Sequence, residues 1–302
     1  MELSANRQTG NGAVHLLGAV QLPRNLDQGG RLWGISDLAW DADERILYAV
    51  TDGGMLVHIR PVFQNNRLLG ARLLGDYRLE GRDGSPLYGF DRDAEGMDIV
   101  GGDNGVGGDS ELLISFEGNP RISRYTSQGR YLGPLELPLV LRDRHTYENP
   151  NRGLESVTLH PVLGVLTAPE YPLRNEPSDR LSIFSLAGQH WDFPRAAAFN
   201  SALVAMDTAP DGSVVILERA WFSPVHPLVI GLRRLHLPAD PKSAAVAVED
   251  LAVFDSNEGW RMDNFEGLAH HRGSRWFMVS DDNQRATQRS LLVYFEIENG
   301  SE

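Results

Sequence analysis

Five short segments of this chain share one grammar, and their spacing constrains the fold more than any other feature. ISDLAW, AEGMDIV, LESVTLHP, AMDTAPDG and FEGLAHH each set an acid near the start of a strand-length apolar run. The acids are Asp37, Glu95, Glu155, Asp207 and Glu266, at intervals of 58, 60, 52 and 59 residues. A near-constant period of this length marks a repeat architecture. Each opening is followed by a second run (ILYAVTD, ELLISFEG, GVLTAPEY, SVVILERAW, RWFMVSDDN) of the β-branched and aromatic residues that fit a pleated, half-buried surface. Outer runs come next: MLVHIR and ARLLGDYRL in the first unit, RISRYTSQG and YLGPLEL in the second, PLVIGLRRLHL and AVAVEDLAVF in the fourth. Turn residues such as DADE, PDGS and HRGS separate the runs, so each unit reads as a four-stranded antiparallel meander.

Repeats of roughly 40 to 60 residues with four strands each describe a β-propeller, in which radial repetition leaves few exposed sheet edges. The expected fold class is therefore all-β, a single β-propeller domain over residues 1–302 with five blades favoured. Six blades remain an alternative if the segment from 60 to 94 holds extra strands. The fifth unit ends one strand short, while the apolar run AVHLLGAVQLP precedes the first opening without a unit of its own. Pairing the two makes the N-terminal strand the outer strand of the last blade and closes the ring. Helical periodicity is confined to RAAAFNSALVAM, enough for a turn or two of helix.

The first strand of a propeller blade lines the central channel and the second runs antiparallel to it, so the start of one and the end of the other share a mouth. The closing acids Asp52, Glu117, Glu170, Glu218 and Asp281, with Asp282 beside the last, would join the five opening acids there. Composition now matters: 41 acidic against 28 basic side chains give a formal charge of −13. Such a surplus argues against nucleic acid, which needs a basic face, and against adhesion to anionic lipid. Two like charges about 6 Å apart at an effective dielectric near 20 repel by roughly 2 to 3 kcal/mol. Ten acids at one mouth therefore call for protonation, interleaved arginines or a hard cation. Calcium suits the last role, because it takes about six to eight oxygens in flexible geometry. The expected ligands are the five opening and five closing acids, with Asn264, Asn283, Asn119 and Asn151 near enough in sequence to add amide oxygens. Zinc is disfavoured, since the nine histidines contain no HExxH or HxxxH pair and His270 and His271 would face opposite sides of a strand. A structural role stands beside this reading: acids at strand starts also cap neighbouring backbone amides, with Arg152, Arg219, Arg121 and Arg124 as partners.

Other signals mostly exclude. The chain has no cysteine, which removes disulfides and thiolate chemistry and leaves the compartment open. GGDNGVGGD at 101–109 lacks the GK[ST] of a phosphate loop and reads as a hairpin loop. There is no GxSxG elbow, and DSNEGW at 255–260 misses the spacing and terminal glutamate of a calcium loop. Six tryptophans raise a sugar or aromatic-ligand platform, though Trp33, Trp40 and Trp276 lie in strand grammar and read as core. No apolar run approaches the roughly 20 residues that span a bilayer. MELSANRQTG lacks a cationic stretch followed by an apolar one, so an export signal is expected to be absent or already removed.

AEGMDIV, ELLISFEGNPRISRY, NRGLESVTLHP, VVILER and NFEGLAHHRGSRWFMVSDDN together resemble the phytase-like domain family, "esterase-like activity of phytase". The resemblance runs from about Gly34 to Ile297, and FEGLA to SDDN is its most specific part. It implies a bacterial propeller, periplasmic or secreted, with ester or phosphoester hydrolase activity on a small molecule. The family's glutamate–glycine positions fall on Glu95 and Glu266, and on Glu155 with Ser156 in place of the glycine. Its closing positions fall on Glu117, on Glu218 with Arg219, and on Asp281 to Asn283. For phosphoester hydrolysis the resemblance implies calcium between the acids and the phosphate, Glu155 as base, and Arg219 or Arg121 as anion holder. An acidic mouth without metal repels phosphate esters, so activity is expected to depend on calcium. Two other readings stay open: a propeller lactonase or carboxylesterase, and a non-catalytic module with structural calcium whose mouth captures a cationic ligand, a sugar or a protein.

Overall fold

The computed structural model describes residues 1–25, 32–149, 152–223, 226–285 and 288–298. Within them the inner strands are Ile35–Asp41, Ala94–Val100, Leu154–His160, Ser201–Thr208 and Asn264–Arg272, and each begins an antiparallel sheet. The second strands are Ile46–Thr51, Glu111–Phe116, Gly164–Pro169, Val214–Ala220 and Arg275–Asp281. Third and outer strands complete the meanders of blades one to four in simple order. The inner strands touch one another in a closed circle, so the sheets are five blades around a channel. The segment from 60 to 94 adds no blade. It holds the end of the third strand of blade one (Met55–Gln64), its long outer strand Arg67–Arg78, a Glu80 to Pro86 bridge and a 3-10 turn at Gly89–Arg92.

The ring closes as its sequence implies. Val14–Gln21 pairs with Leu291–Ile297, from Val14 opposite Ile297 to Gln21 opposite Leu291, and becomes the outer strand of blade five. The alanine-rich stretch expected to turn helical does not: Ser201–Thr208 is the inner strand of blade four. Its side chains at 201–206 are buried, facing the blades on either side, and tertiary burial overrides alanine's helix preference. The α-helix among the described residues is one turn, Leu139–Arg142.

Among the described residues the core falls into five apolar clusters, each shared by two adjacent blades. Both faces of every blade are thus covered, which is why the second strand Ile46–Thr51 is buried along its whole length. Trp276 belongs to this core and Trp40 packs against its edge, but Trp33 is 37% exposed and is not a core residue.

Three carboxylates link the blades across the channel. Asp37 of blade one accepts hydrogen bonds from its neighbour Leu38 N, from Met97 N of blade two and from Leu268 N of blade five. Asp98 of blade two accepts from Leu159 N of blade three. Asp207 of blade four accepts from Thr158 Oγ1 of blade three and His270 N of blade five. Blades five, one, two, three, four and five again are joined in sequence by these bonds. Burial pushes Asp37 well above the usual carboxylate range, Asp98 to about 8 and Asp207 to about 6, against the opposing pull of the donated N–H groups.

Candidate functional site: the acidic channel mouth

Every inner strand carries a β-bulge at the same register. Pairing with the second strand skips a residue between Ile35 and Asp37, Ala94 and Gly96, Leu154 and Ser156, Leu203 and Ala205, and Phe265 and Gly267. The skipped residues are Ser36, Glu95, Glu155, Val204 and Glu266. A bulge re-aims a side chain at the cost of one ladder position, and here the re-aimed set includes the three glutamates of the Glu–Gly repeat. The residue before each bulge pairs with Thr51, Phe116, Pro169, Glu218 and Ser280, so the next second-strand residues are Asp52, Glu117, Glu170, Arg219 and Asp281. The mouth therefore carries acids from four blades, while blade four presents Val204 and Arg219.

The glycine of the repeat has a steric cause. A Cβ on Gly96 would lie 2.5 Å from the Cα of Ser156 on the next inner strand, and one on Gly267 would lie 2.8 Å from the Cα of Asp37. Inner strands this close need a residue without a side chain.

Asp93 joins the ring as well. It lies two residues before Glu95, shares a hydrogen bond with it, and interacts electrostatically with Asp52 and Glu117. One oxygen from each of Asp93, Glu95 and Glu117 lies within 4.8 Å of the others, and the same holds for Glu117, Glu155 and Glu170. Burial, then neighbouring carboxylates, push Glu95 and Glu155 well above the ordinary glutamate range. Burial is also the first cause of the rise of Glu117 to about 8, Asp281 to about 8 and Asp52 to about 6. Asp93 is raised by burial too. Glu170 rises to about 7 through burial although Arg219 and Arg152 pull it down. Glu155 is 7% exposed and accepts no hydrogen bond among the described residues, whereas Glu117 accepts one from Gly153 N at 3.1 Å. One Oδ of Asp52 is likewise buried without a hydrogen-bond partner among the described residues.

Arg219 enters this ring as its counter-charge. Its guanidinium donates to Asn264 Oδ1 at 2.8 Å and to Glu266, and lies 3.4 Å from Glu170. Burial opposes the charge, but Glu266, Glu170 and Glu155 outweigh it and hold the group protonated.

Of the ten expected acids, the structure brings seven together: Asp52, Glu95, Glu117, Glu155, Glu170, Glu266 and Asp281. Asp37 and Asp207 are not at the mouth. They lie one and three residues past the bulge, deeper in the channel, with their oxygens spent on the inter-blade bonds, and Asp207 and Asp98 border the cavity at the opposite end. Glu218 is not there either. It is 1% exposed and faces away from the channel, bonded to Ser201 Oγ, Ala196 N and Arg233. A one-residue shift in a strand turns the side chain to the other face, so Arg219 takes the place expected of Glu218. Arg121 stacks on Phe116 at 3.6 Å and donates to Asp91 and Asn119 carbonyls, outside the ring, and Arg124 pairs with Glu111. Asn119 bonds Asp91, and Asn151 lies outside the described residues. Asp93, just before AEGMDIV, and Asp98, within it, are legible only as neighbours of Glu95, two residues before and three after.

The fold and this ring define a β-propeller with an acidic channel mouth. The chain matches the family described as "Phytase-like: Esterase-like activity of phytase" over residues 31–284, and it belongs to that family, which suggests a hydrolase-type propeller. Comparison with curated proteins finds no match. Among solved structures the chain is similar to the Neurospora crassa Pan2 WD40 domain, at 11% identity with 98% of each chain covered and a TM-score of 0.41. It is also similar to the Dos1 propeller, at 8% identity, covering 90% of this chain and 68% of that one, with a TM-score of 0.37. No helix among the described residues is long and apolar enough to cross a membrane.

Proposed function

We propose that the acidic mouth binds calcium and hydrolyses small esters or phosphate esters in a calcium-dependent way. The observation that carries the reading is the pair of carboxylate triplets sharing Glu117, with Glu155 buried among them and accepting no hydrogen bond among the described residues. Oxygens around one calcium, each about 2.3–2.6 Å from it, lie at most about 5 Å apart, and both triplets meet that limit. Neither triplet contains a histidine, and the chain has no cysteine, so the donors suit a hard cation better than zinc. Asp93, Glu95 and Glu117 would hold the ion, with Asp52 and Asp281 beside them. Bound there, calcium would supply charge neutralisation and Lewis acidity toward an ester or phosphoryl oxygen. Glu155, buried and within reach of the same ion site, would accept the proton of an attacking water, and Arg219 would face developing negative charge. We place this activity in the periplasm or outside the cell.

The test is calorimetric calcium titration together with hydrolysis of 4-nitrophenyl phosphate and 4-nitrophenyl acetate, with calcium and with EDTA. Binding with turnover of either ester that EDTA abolishes supports the reading; absence of calcium binding refutes it. One observation favours a second reading. Arg219 is already engaged by Glu266, Asn264 and Glu170, so little positive charge is left to hold an anion. A binding module with structural calcium would show calcium binding and no turnover of either ester.

A further inference from the structure

Beside the ring lies a cavity of about 520 Å³ that shares Glu170, Arg219 and Glu266 with it but is otherwise built from different chemistry. That volume falls within the roughly 300–1,000 Å³ of small-ligand pockets. Trp221 lines it at 49% exposure, and its indole makes no ring contact among the described residues. The adjacent Phe222 differs, being held edge-on by Phe199 at 5.2 Å and His226 at 5.3 Å. The backbone under Trp221 is fixed: Asn200 Nδ2 donates to its carbonyl at 3.1 Å and to the Tyr171 hydroxyl at 3.1 Å.

The polar groups around this indole decide what it can hold. Among the described residues Gln288 Oε1 is buried with no hydrogen-bond partner, and Asn200 has committed only its nitrogen. These are acceptors in want of a donor, which a carboxylate ion or a fully ionised phosphate ester cannot supply, whereas a hydroxyl can. Asn283 and Arg285 add side-chain donors on the same wall, neither engaged with another side chain among the described residues. A ligand must therefore donate and accept hydrogen bonds along its edge while offering a flat apolar face to an indole. A neutral pyranose has both: hydroxyls around the rim and a C–H face.

We propose that this cavity is a binding site for an uncharged hexopyranose, stacked on Trp221 with hydroxyls donating to Gln288 and Asn200. It does not rest on calcium or on catalysis at the neighbouring ring. The test uses the full chain in EDTA, so that failure of the metal reading leaves it intact. Methyl α-D-glucopyranoside, methyl α-D-mannopyranoside, methyl β-D-galactopyranoside and N-acetylglucosamine are screened by saturation-transfer NMR, and hits are titrated by tryptophan fluorescence. At least one should bind, with affinity falling tenfold or more in Trp221→Ala and several-fold in Gln288→Ala, while Trp221→Phe retains part of it. Unchanged melting temperatures of the three variants show that they remain folded. Lack of binding by all four sugars overturns the proposal. So does binding that Trp221→Ala leaves intact, or displacement of a bound sugar by inorganic phosphate.

Discussion

Glu117→Gln should stabilise the metal-free protein at pH 8, although removing a buried hydrogen-bonded charge usually does the reverse. Glu117 is 9% exposed and its carboxyl is raised from 4.5 to about 8. Its folded form therefore keeps a proton that the unfolded chain has released. The native state binds more protons between those two values, so stability is full below pH 4.5 and is lost as the pH climbs through about 8. At about 1.4 kcal/mol per tenfold change, Glu117 alone makes the metal-free protein on the order of 3 kcal/mol less stable at pH 8 than at pH 5. For a chain of this size that is roughly 5–10 °C in melting temperature. Glutamine keeps the oxygen that accepts from Gly153 N and removes the charge, so Glu117→Gln should recover much of this loss in EDTA at pH 8 and little at pH 5. With millimolar calcium the order should reverse, because the proposed ion would stabilise the ionised parent and the variant would lack a shared ligand. Thermal unfolding at the two pH values, with EDTA and with calcium, gives all eight numbers. A variant less stable than the parent in EDTA at pH 8, or a parent that gains stability from pH 5 to pH 8, would show that the mouth carries no stored repulsion.

The other expectations concern parts of the same channel. Asp37→Ala orphans three backbone N–H groups, two of them on neighbouring blades, and should cost about 3–6 kcal/mol by urea denaturation; a loss below about 1 kcal/mol would show that these bonds do not brace the ring. Gly96→Ala drives a Cβ against Ser156 at 2.5 Å and should cost roughly 1–3 kcal/mol, while Gly164→Ala, which meets nothing nearby, should cost only the strain of its positive φ. Arg219→Gln leaves Glu266 and Glu170 without their counter-charge, so metal-free stability at pH 8 should fall and calcium should restore more of it than in the parent; equal calcium shifts would place Arg219 outside the ring's electrostatics.

The period of the acids and the length of the apolar runs were enough to read five blades and the strand that closes them, because both follow from local pattern. The alternation of each strand and the antiparallel turn also place closing acids and opening acids at one end. What local pattern cannot carry is a single extra residue. The bulges at Ser36, Glu95, Glu155, Val204 and Glu266 leave no mark in composition, yet each shifts every later residue of its strand to the opposite face. Counting from the acids alone aligned Asp37 and Asp207 with the glutamates and set Glu218 at the mouth. Counting from the bulge aligns Asp98, Thr158 and Asp207 at one deeper level and puts Arg219 in the ring. The bond from Leu268 N to Asp37 joins residues 231 positions apart, and no reading of neighbours in sequence would supply it.

The two levels answer one problem in opposite ways. A propeller brings the starts of its inner strands together, and those strands pair only with their own second strands, so the channel-facing backbone groups have no ladder partners. At the deeper level Asp37, Asp98 and Asp207 meet that need: each carboxylate accepts N–H groups from a neighbouring blade, and the charge is used up in holding blades together. Nothing is left over for a ligand. At the mouth the bulge turns Glu95, Glu155 and Glu266 away from the ladder, and few backbone donors reach these acids or their neighbours Asp52 and Asp281. Apart from Glu266, which pairs with Arg219, their charge is largely unspent, and Arg219 with the flanking Arg92, Arg121 and Arg152 cannot offset eight carboxylates. An acid that braces the fold is recognised by the amides it accepts from, and an acid that serves a ligand by the amides it lacks. On that criterion Asp37 and Asp207 are structural, and the ring around Glu155, which accepts no amide among the described residues, and Glu117, which accepts only one, is the part we propose to be functional, although both carry the same periodic residue type.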